Sequence, residues 1–163
     1  MPTDFPKVLQ SLTRHEVRFI LIGGLAAIIH GSARLTFDID VVYARDIENI
    51  RRLVAAIAPH SPYLRGAPPG LPFVWDERTV RAGLNFTLVT SLGDVDLLGE
   101  VAGGGAYEQL LPFAAEAEAF EAKFFCVGLD RLIQLKRAAG RPRDLEQIAE
   151  LQALLEERKK RAT

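Results

Sequence analysis

ILIGGLAAIIHGSARLTFDIDVV, residues 20–42, begins with an apolar run that ends at Gly23-Gly24 and closes on another that carries Asp38 and Asp40. The pattern predicts a β-strand up to the glycine pair, a short apolar helix from Leu25 to His30 that stops near Gly31, a turn from Ser32 to Thr36, and a second strand from Phe37 to Tyr43. Side chains at i and i+2 of a strand share a face, about 6.5 Å apart at a rise of about 3.3 Å per residue. Asp38 and Asp40 therefore point one way, and Phe37, Ile39 and Val41 the other. Two carboxylates so placed on a half-buried strand repel each other and are costly to desolvate, and a bound divalent cation relieves both penalties. Magnesium suits the pair, with manganese the alternative ion, because such a cation takes one or two carboxylates and completes its shell with water and substrate phosphate.

Gly23 and Gly24 stand where a strand hands over to a helix whose first N–H groups are unpaired and attract an anion, and without Cβ atoms they let backbone approach a ligand closely. Alone, such a pair also fits any tight strand-to-helix turn. Joined to Asp38-Ile39-Asp40 on the next strand, it brings phosphate donors and metal ligands together, as a site for a nucleoside triphosphate and its metal ions requires. A glycine pair followed, after a helix, by an acidic-hydrophobic-acidic triplet on a strand resembles the polymerase-beta-like nucleotidyltransferase superfamily. The resemblance implies an α/β fold with a small mixed sheet and metal-dependent transfer of a nucleoside monophosphate from a nucleoside triphosphate to an acceptor hydroxyl. Arg34 and Thr36, in the turn between the two motifs, are assigned with Gly23 and Gly24 to the nucleotide.

At 163 residues and 48% hydrophobic content the chain can build one sizeable core, and it is read as a single unit with an α/β core over 1–127 and a helical extension over 128–163. The formal net charge of −1 supplies no global attraction to nucleic acid or to a membrane surface. Cys126, the single cysteine, lies in an apolar run and reads as a buried structural thiol. No signal-like segment and no membrane-spanning run is found, so the expected location is the cytoplasm.

Elsewhere, Phe5, Val8, Leu9 and Leu12 form the stripe of a first helix capped by Thr3 or Asp4. Asp46 caps another helix that Pro59 closes. Residues 59–72 read as a long loop, after which Trp75 either stacks a base beside Arg78 and Arg81 or packs under that loop. Leu84 to Thr90 and Asp94 to Leu98 read as a hairpin beside the acidic strand. It brings a further carboxylate, Asp94 at the turn or Asp96 deeper in the strand. Asp96 is preferred, because Asp94 is explained as a solvated turn residue, and Asp96 matches by position the third aspartate of the resembled superfamily. Residues 115–120 and 122–127 read as a last strand pair, with His30 placed at a helix end where its dipole favours a histidine.

Two helices are expected near the end of the chain, one stopped by Gly140 and one opened by Asp144. Arg131, Lys136, Arg137, Arg141 and Arg143 cluster around their junction with no acid between Arg131 and Arg143. Lys136 falls on the apolar side of its helix, where its ammonium needs a cleft, and a triphosphate is a suitable partner for it and for Arg141. The run LIQLKRAAGRPRDLEQIAEL resembles the C-terminal part of AbiEii-like and MenT-like nucleotidyltransferases, including toxins of toxin–antitoxin pairs. That resemblance implies active-site roles for Lys136 and Asp144, with Asp38, Asp40 and Asp96 as metal ligands. It also implies transfer RNA, protein or a small molecule as acceptor and, for a toxin, an antitoxin partner. Asp144 equally fits a helix N-cap, with Gln147 as its reciprocal partner. The basic tail Arg158 to Arg161 reads as a solvated, frayed end. Two other readings use the same fold, a non-catalytic nucleotide-binding relative and a nucleic-acid-binding module that works through the arginine cluster.

Overall fold

A computed structural model describes residues 2–162. Asp4 caps the first helix, α1 (Phe5–Arg14), accepting a hydrogen bond from the Lys7 N–H at 3.1 Å, and Val8, Leu9 and Leu12 are buried along its stripe. Thr3 is not the cap. Its hydroxyl donates to Phe37 O at 2.5 Å and accepts from Asp94 N at 2.9 Å, tying the start of the chain to the two acidic strands.

The chain continues through β1 (Phe19–Ile22), α2 (Gly23–Ile29), β2 (Asp38–Tyr43), α3 (Ile47–Ile57), β3 (Tyr63–Leu64), α4 (Glu77–Ala82), β4 (Asn85–Thr90) and β5 (Gly93–Leu98). After a small hairpin of β6 (Glu100–Val101) and β7 (Gly105–Ala106) come α5 (Tyr107–Leu110), β8 (Ala114–Ala119), β9 (Ala122–Val127), α6 (Leu129–Ala139) and α7 (Pro142–Arg161). The main sheet is mixed and seven-stranded, in the order β3-β4-β5-β2-β1-β9-β8. Its central strand β2 is antiparallel to β1 and parallel to β5, with Asp38 opposite Asp94 and Asp40 opposite Asp96. The expected hairpin is β4–β5, and it does lie against the acidic strand. β1 is buried along its whole length, as a strand inside a sheet with a covered face should be. Helix α2 packs on β1, β2 and α6, and α1 packs on α3 and β9.

Residues 59–72 are not structureless. Pro59 sits in a 3-10 turn (Ala58–His60), and Tyr63 and Leu64 pair with Val89 and Leu88 to make β3 the sheet edge. Two residues are too few to show a period. Trp75 packs against the core, donating from its indole N–H to Val54 O at 3.2 Å and meeting Phe86 edge-to-face at 5.9 Å. Helix α4, capped by the Asp76 side chain, is likewise too short to be seen in the sequence pattern. Gly140 ends α6 in the left-handed region at φ +66°, as expected. Helix α7 starts at Pro142, two residues before Asp144, because proline suits the first helical position. The basic tail is helical through Arg161. Cys126 is buried, and its thiol pKa is pushed up to about 12 by that burial. Among the described residues no helix is long and apolar enough to cross a membrane.

One polar residue holds the lower end of the sheet. Asn49, fully buried on α3, accepts from Arg18 N at 2.7 Å and donates to Arg18 O at 3.0 Å and Ala44 O at 2.7 Å, joining the chain entering β1 to the chain leaving β2. Removal of the amide would take a hydrogen bond from Arg18 N and, at the buried contact, from Ala44 O, while Arg18 O still accepts from Ala44 N at 3.2 Å. Asn49→Ala is therefore expected to lower the unfolding free energy by about 3 kcal/mol, read from the urea midpoint at unchanged m-value.

Candidate active site

Asp38 and Asp40 leave β2 on one face, and the parallel register with β5 sets Asp96 beside Asp40. One carboxylate oxygen from each of Asp38, Asp40 and Asp96 lies within 4.8 Å of the others. Three carboxylate oxygens gathered in this way could hold a metal ion. The glycine pair makes room for this cluster. Gly23, at φ +73°, lies so close to Asp40 that a Cβ there would overlap the carboxylate oxygen Oδ2, and a Cβ on Gly24 would come within 2.5 Å of Thr36 Oγ1. Thr36 in turn donates from its hydroxyl to Asp38 O at 3.3 Å. Asp40 has its carboxyl raised well above the usual range, first by burial, then by the charge of Asp38 and by Asp96, with which it shares a hydrogen bond.

The opposite wall comes from α6 and α7. Lys136 is buried on α6, as its place on the apolar stripe anticipated, and its Nζ lies 3.7 Å from Asp144 Oδ1. Burial lowers the Lys136 ammonium below its ordinary value, against the pull of Asp144 and Asp40. Asp144 is 2% exposed and stands at the third position of α7 instead of at its cap. It takes Arg141 Nε at 2.6 Å and Nη2 at 3.2 Å on separate oxygens, and also the Arg141 backbone N–H at 3.3 Å. Burial alone would raise the Asp144 carboxyl, but the hydrogen bond and charge of Arg141, with the charge of Lys136, hold it below the ordinary range. The two walls enclose a cleft of about 310 Å³, lined by Gly23, Gly24, Arg34, Thr36, the carboxylates of both strands, Lys136, Arg141, Arg143 and Asp144. Of the arginine cluster, only Arg141 and Arg143 reach it. Arg131 lies over the Phe113 ring at 3.5 Å instead.

Helix α7 also shapes the mouth of the cleft through residues that periodicity did not single out. Glu150 accepts from the Ser32 hydroxyl at 2.6 Å and from Ala33 N at 3.2 Å, while Arg34 stands 3.9 Å from Glu146 and 4.0 Å from Glu150. The Ser32 hydrogen bond, then the Ala33 N–H and the Arg34 charge, keep the Glu150 carboxyl below its ordinary value. Arg158 donates to His30 Nδ1 at 2.9 Å, which leaves Nε2 to donate to Val127 O at 2.7 Å. His30 is thus a neutral link between α7, α2 and β9, its imidazolium form disfavoured first by burial. Arg65, just beyond β3, was also missed. Its Nη2 donates to Asp96 Oδ1 at 2.7 Å, and its Nε is 3.4 Å from Asp94 Oδ2. Nothing in the sequence near residue 65 announces a partner thirty-one positions away.

No family model matches the sequence, and no curated protein matches it by sequence. Solved structures do match. A Thermotoga maritima protein assigned as a nucleotidyltransferase shares 17% identity at a TM-score of 0.57, over 94% of this chain and 91% of that one. The lincosamide antibiotic adenylyltransferase LnuA, in its lincomycin-bound structure, shares 14% at a TM-score of 0.59, over 94% of this chain and 98% of that one. At such identities the likeness establishes the fold: the chain has the mixed α/β nucleotidyltransferase fold with C-terminal helices.

Two measurements test the charges described above. The native state holds the Asp40 proton more tightly than the unfolded chain does, so stability falls as pH rises from the ordinary carboxylate range through the raised Asp40 value. Asp40→Asn is neutral throughout. In EDTA it should melt above wild type at about pH 8, and the two should converge near about pH 4, where an ordinary aspartate is half protonated. Asp144→Asn, which a simple N-cap would tolerate, should instead cost about 3 kcal/mol in urea unfolding, because Lys136 loses its buried counter-ion.

Proposed function

We propose that the chain is a metal-dependent nucleotidyltransferase that moves a nucleoside monophosphate from a nucleoside triphosphate to an acceptor hydroxyl and releases pyrophosphate. The observation that carries this reading is a single cleft with the Asp38, Asp40 and Asp96 carboxylates on one wall and Lys136, Arg141 and Arg143 on the other. A divalent cation bound by the three carboxylates would draw the phosphates to the acidic wall and stabilise charge on their oxygens. Lys136, Arg141 and Arg143 would bind the triphosphate from the far side, with Arg34 at the mouth. Thr36 holds Asp38 through its main chain. Asp96 is assigned to the side of the attacking hydroxyl. There the hydroxyl oxygen gives up its proton to solvent and bonds to the α-phosphorus, the bond from that phosphorus to the bridging oxygen breaks, and pyrophosphate departs.

The likeness to an adenylyltransferase supports ATP as a donor. RNA, a protein or a small molecule is the acceptor. A toxin role with an antitoxin partner draws its support from the resemblance of residues 132–151 to toxin-type nucleotidyltransferases. The same resemblance supports reading residues 128–163 as an extension of one catalytic unit.

Pyrophosphate release from ATP, with cell extract as the source of acceptor, should require magnesium and fall by at least about two orders of magnitude in Asp38→Ala. ATP should also bind more weakly in EDTA than in magnesium, since like charges then face each other across the acidic wall. Equal binding in both, measured by calorimetry, would refute the metal assignment. If the protein is a toxin, its induction should arrest growth, and Asp38→Ala should relieve the arrest.

A further inference from the structure

Arg65 enters the acidic cluster from outside both walls of the cleft. It follows β3, and its N–H donates to Thr87 O at 2.9 Å, while Thr87 is the β4 residue opposite Asp96. The sheet therefore delivers this side chain to Asp96 by register. Nη2 donates both to Asp96 Oδ1 at 2.7 Å and to Leu88 O at 2.8 Å, so the guanidinium is fixed to the β4 backbone while it holds the carboxylate. Its Nε is buried and ion-paired with Asp94 Oδ2 at 3.4 Å without the geometry of a hydrogen bond. The guanidinium is thus hydrogen-bonded to Asp96 and only ion-paired with Asp94.

A fixed positive charge beside the carboxylates relieves their repulsion but weakens their attraction for a cation, so its effect on cation binding separates a counter-charge from an orienting role. Carboxylates that ligate metals are commonly oriented by such outer hydrogen bonds. We propose that Arg65 is the positioning residue of the third carboxylate, fixing Asp96 through Oδ1 so that the group is presented to a divalent cation together with Asp38 and Asp40. This rests on the reading of the triad as a metal site. A lysine at position 65 would keep the charge, but its shorter side chain lacks the rigid guanidinium that sets Nη2 between Asp96 Oδ1 and Leu88 O.

The test is direct binding of Mn²⁺ to the full chain without nucleotide, read by electron paramagnetic resonance. Arg65→Gln is expected to weaken Mn²⁺ binding on the order of tenfold or more, and Arg65→Lys to weaken it as well. In an Asp96→Asn background, Arg65→Gln should cause no further loss, because the effect passes through Asp96. Unchanged or tighter binding in Arg65→Gln, or wild-type affinity in Arg65→Lys, would show a mere counter-charge and overturn the proposal. So would an equal loss in the Asp96→Asn background, which would mark general destabilisation. If Arg65→Gln does not fold, Arg65→Lys alone and combined with Asp96→Asn decides between the same outcomes. Absence of Mn²⁺ binding by wild type would overturn the triad as a metal site and this role with it, whereas wild-type binding that is indifferent to position 65 would overturn this role alone.

Discussion

Parallel pairing of β2 with β5 sets Asp38 opposite Asp94 and Asp40 opposite Asp96, and the negative charge gathered by that register has to be met from distant parts of the chain. Arg65 meets it from the sheet edge, and Lys136 meets it from a buried position on α6. The Asp40 carboxyl is raised well above the usual range, first by its burial and then by the charge of Asp38 and by Asp96. The glycine pair belongs to the same constraint. Asp40 and Thr36 fill the space that side chains at 23 and 24 would need, so the turn is shaped by what it packs against as much as by any ligand.

The parts of the fold that repeat a period were legible in the sequence. β1, β2, β4, β5, β8 and β9 are each long enough to show alternation or a continuous apolar run, and α1, α3 and α6 carry clear apolar stripes. The preference for Asp96 over Asp94 began from its depth in the strand, and the pairing of Asp96 with Asp40 supplies the physical reason for its place beside the β2 carboxylates. What escaped was short or long-range. β3 has two residues and α4 six, below what a periodic pattern can reveal. Arg65, Glu150 and Asn49 act through partners far away in sequence, and an isolated arginine, glutamate or asparagine looks the same whether it faces water or a carboxylate. The basic cluster was visible as composition, but its division was not: Arg131 covers an aromatic ring while Arg141 chelates Asp144.

Asp144 shows how two local readings can merge. Its carboxylate does satisfy a main-chain N–H at the start of α7, as a capping group would, but from inside the helix. The same carboxylate neutralises Lys136 at the cleft wall. A helix terminus and a cleft-lining lysine are therefore served by one buried group, and pairing with Arg141 helps hold its carboxyl below the ordinary range.

Helix α7 is fastened at three heights: Asp144 to α6, Glu150 to Ser32 and Ala33, and Arg158 to His30. It is placed as a strut, and swinging it away from the cleft would break all three ties. Past Ala33 the chain carries Leu35 and Phe37 along the rim, 86% and 68% exposed. The mouth of the cleft thus has an ionic jamb on the α7 side and an oily lip at Leu35 and Phe37 on the other.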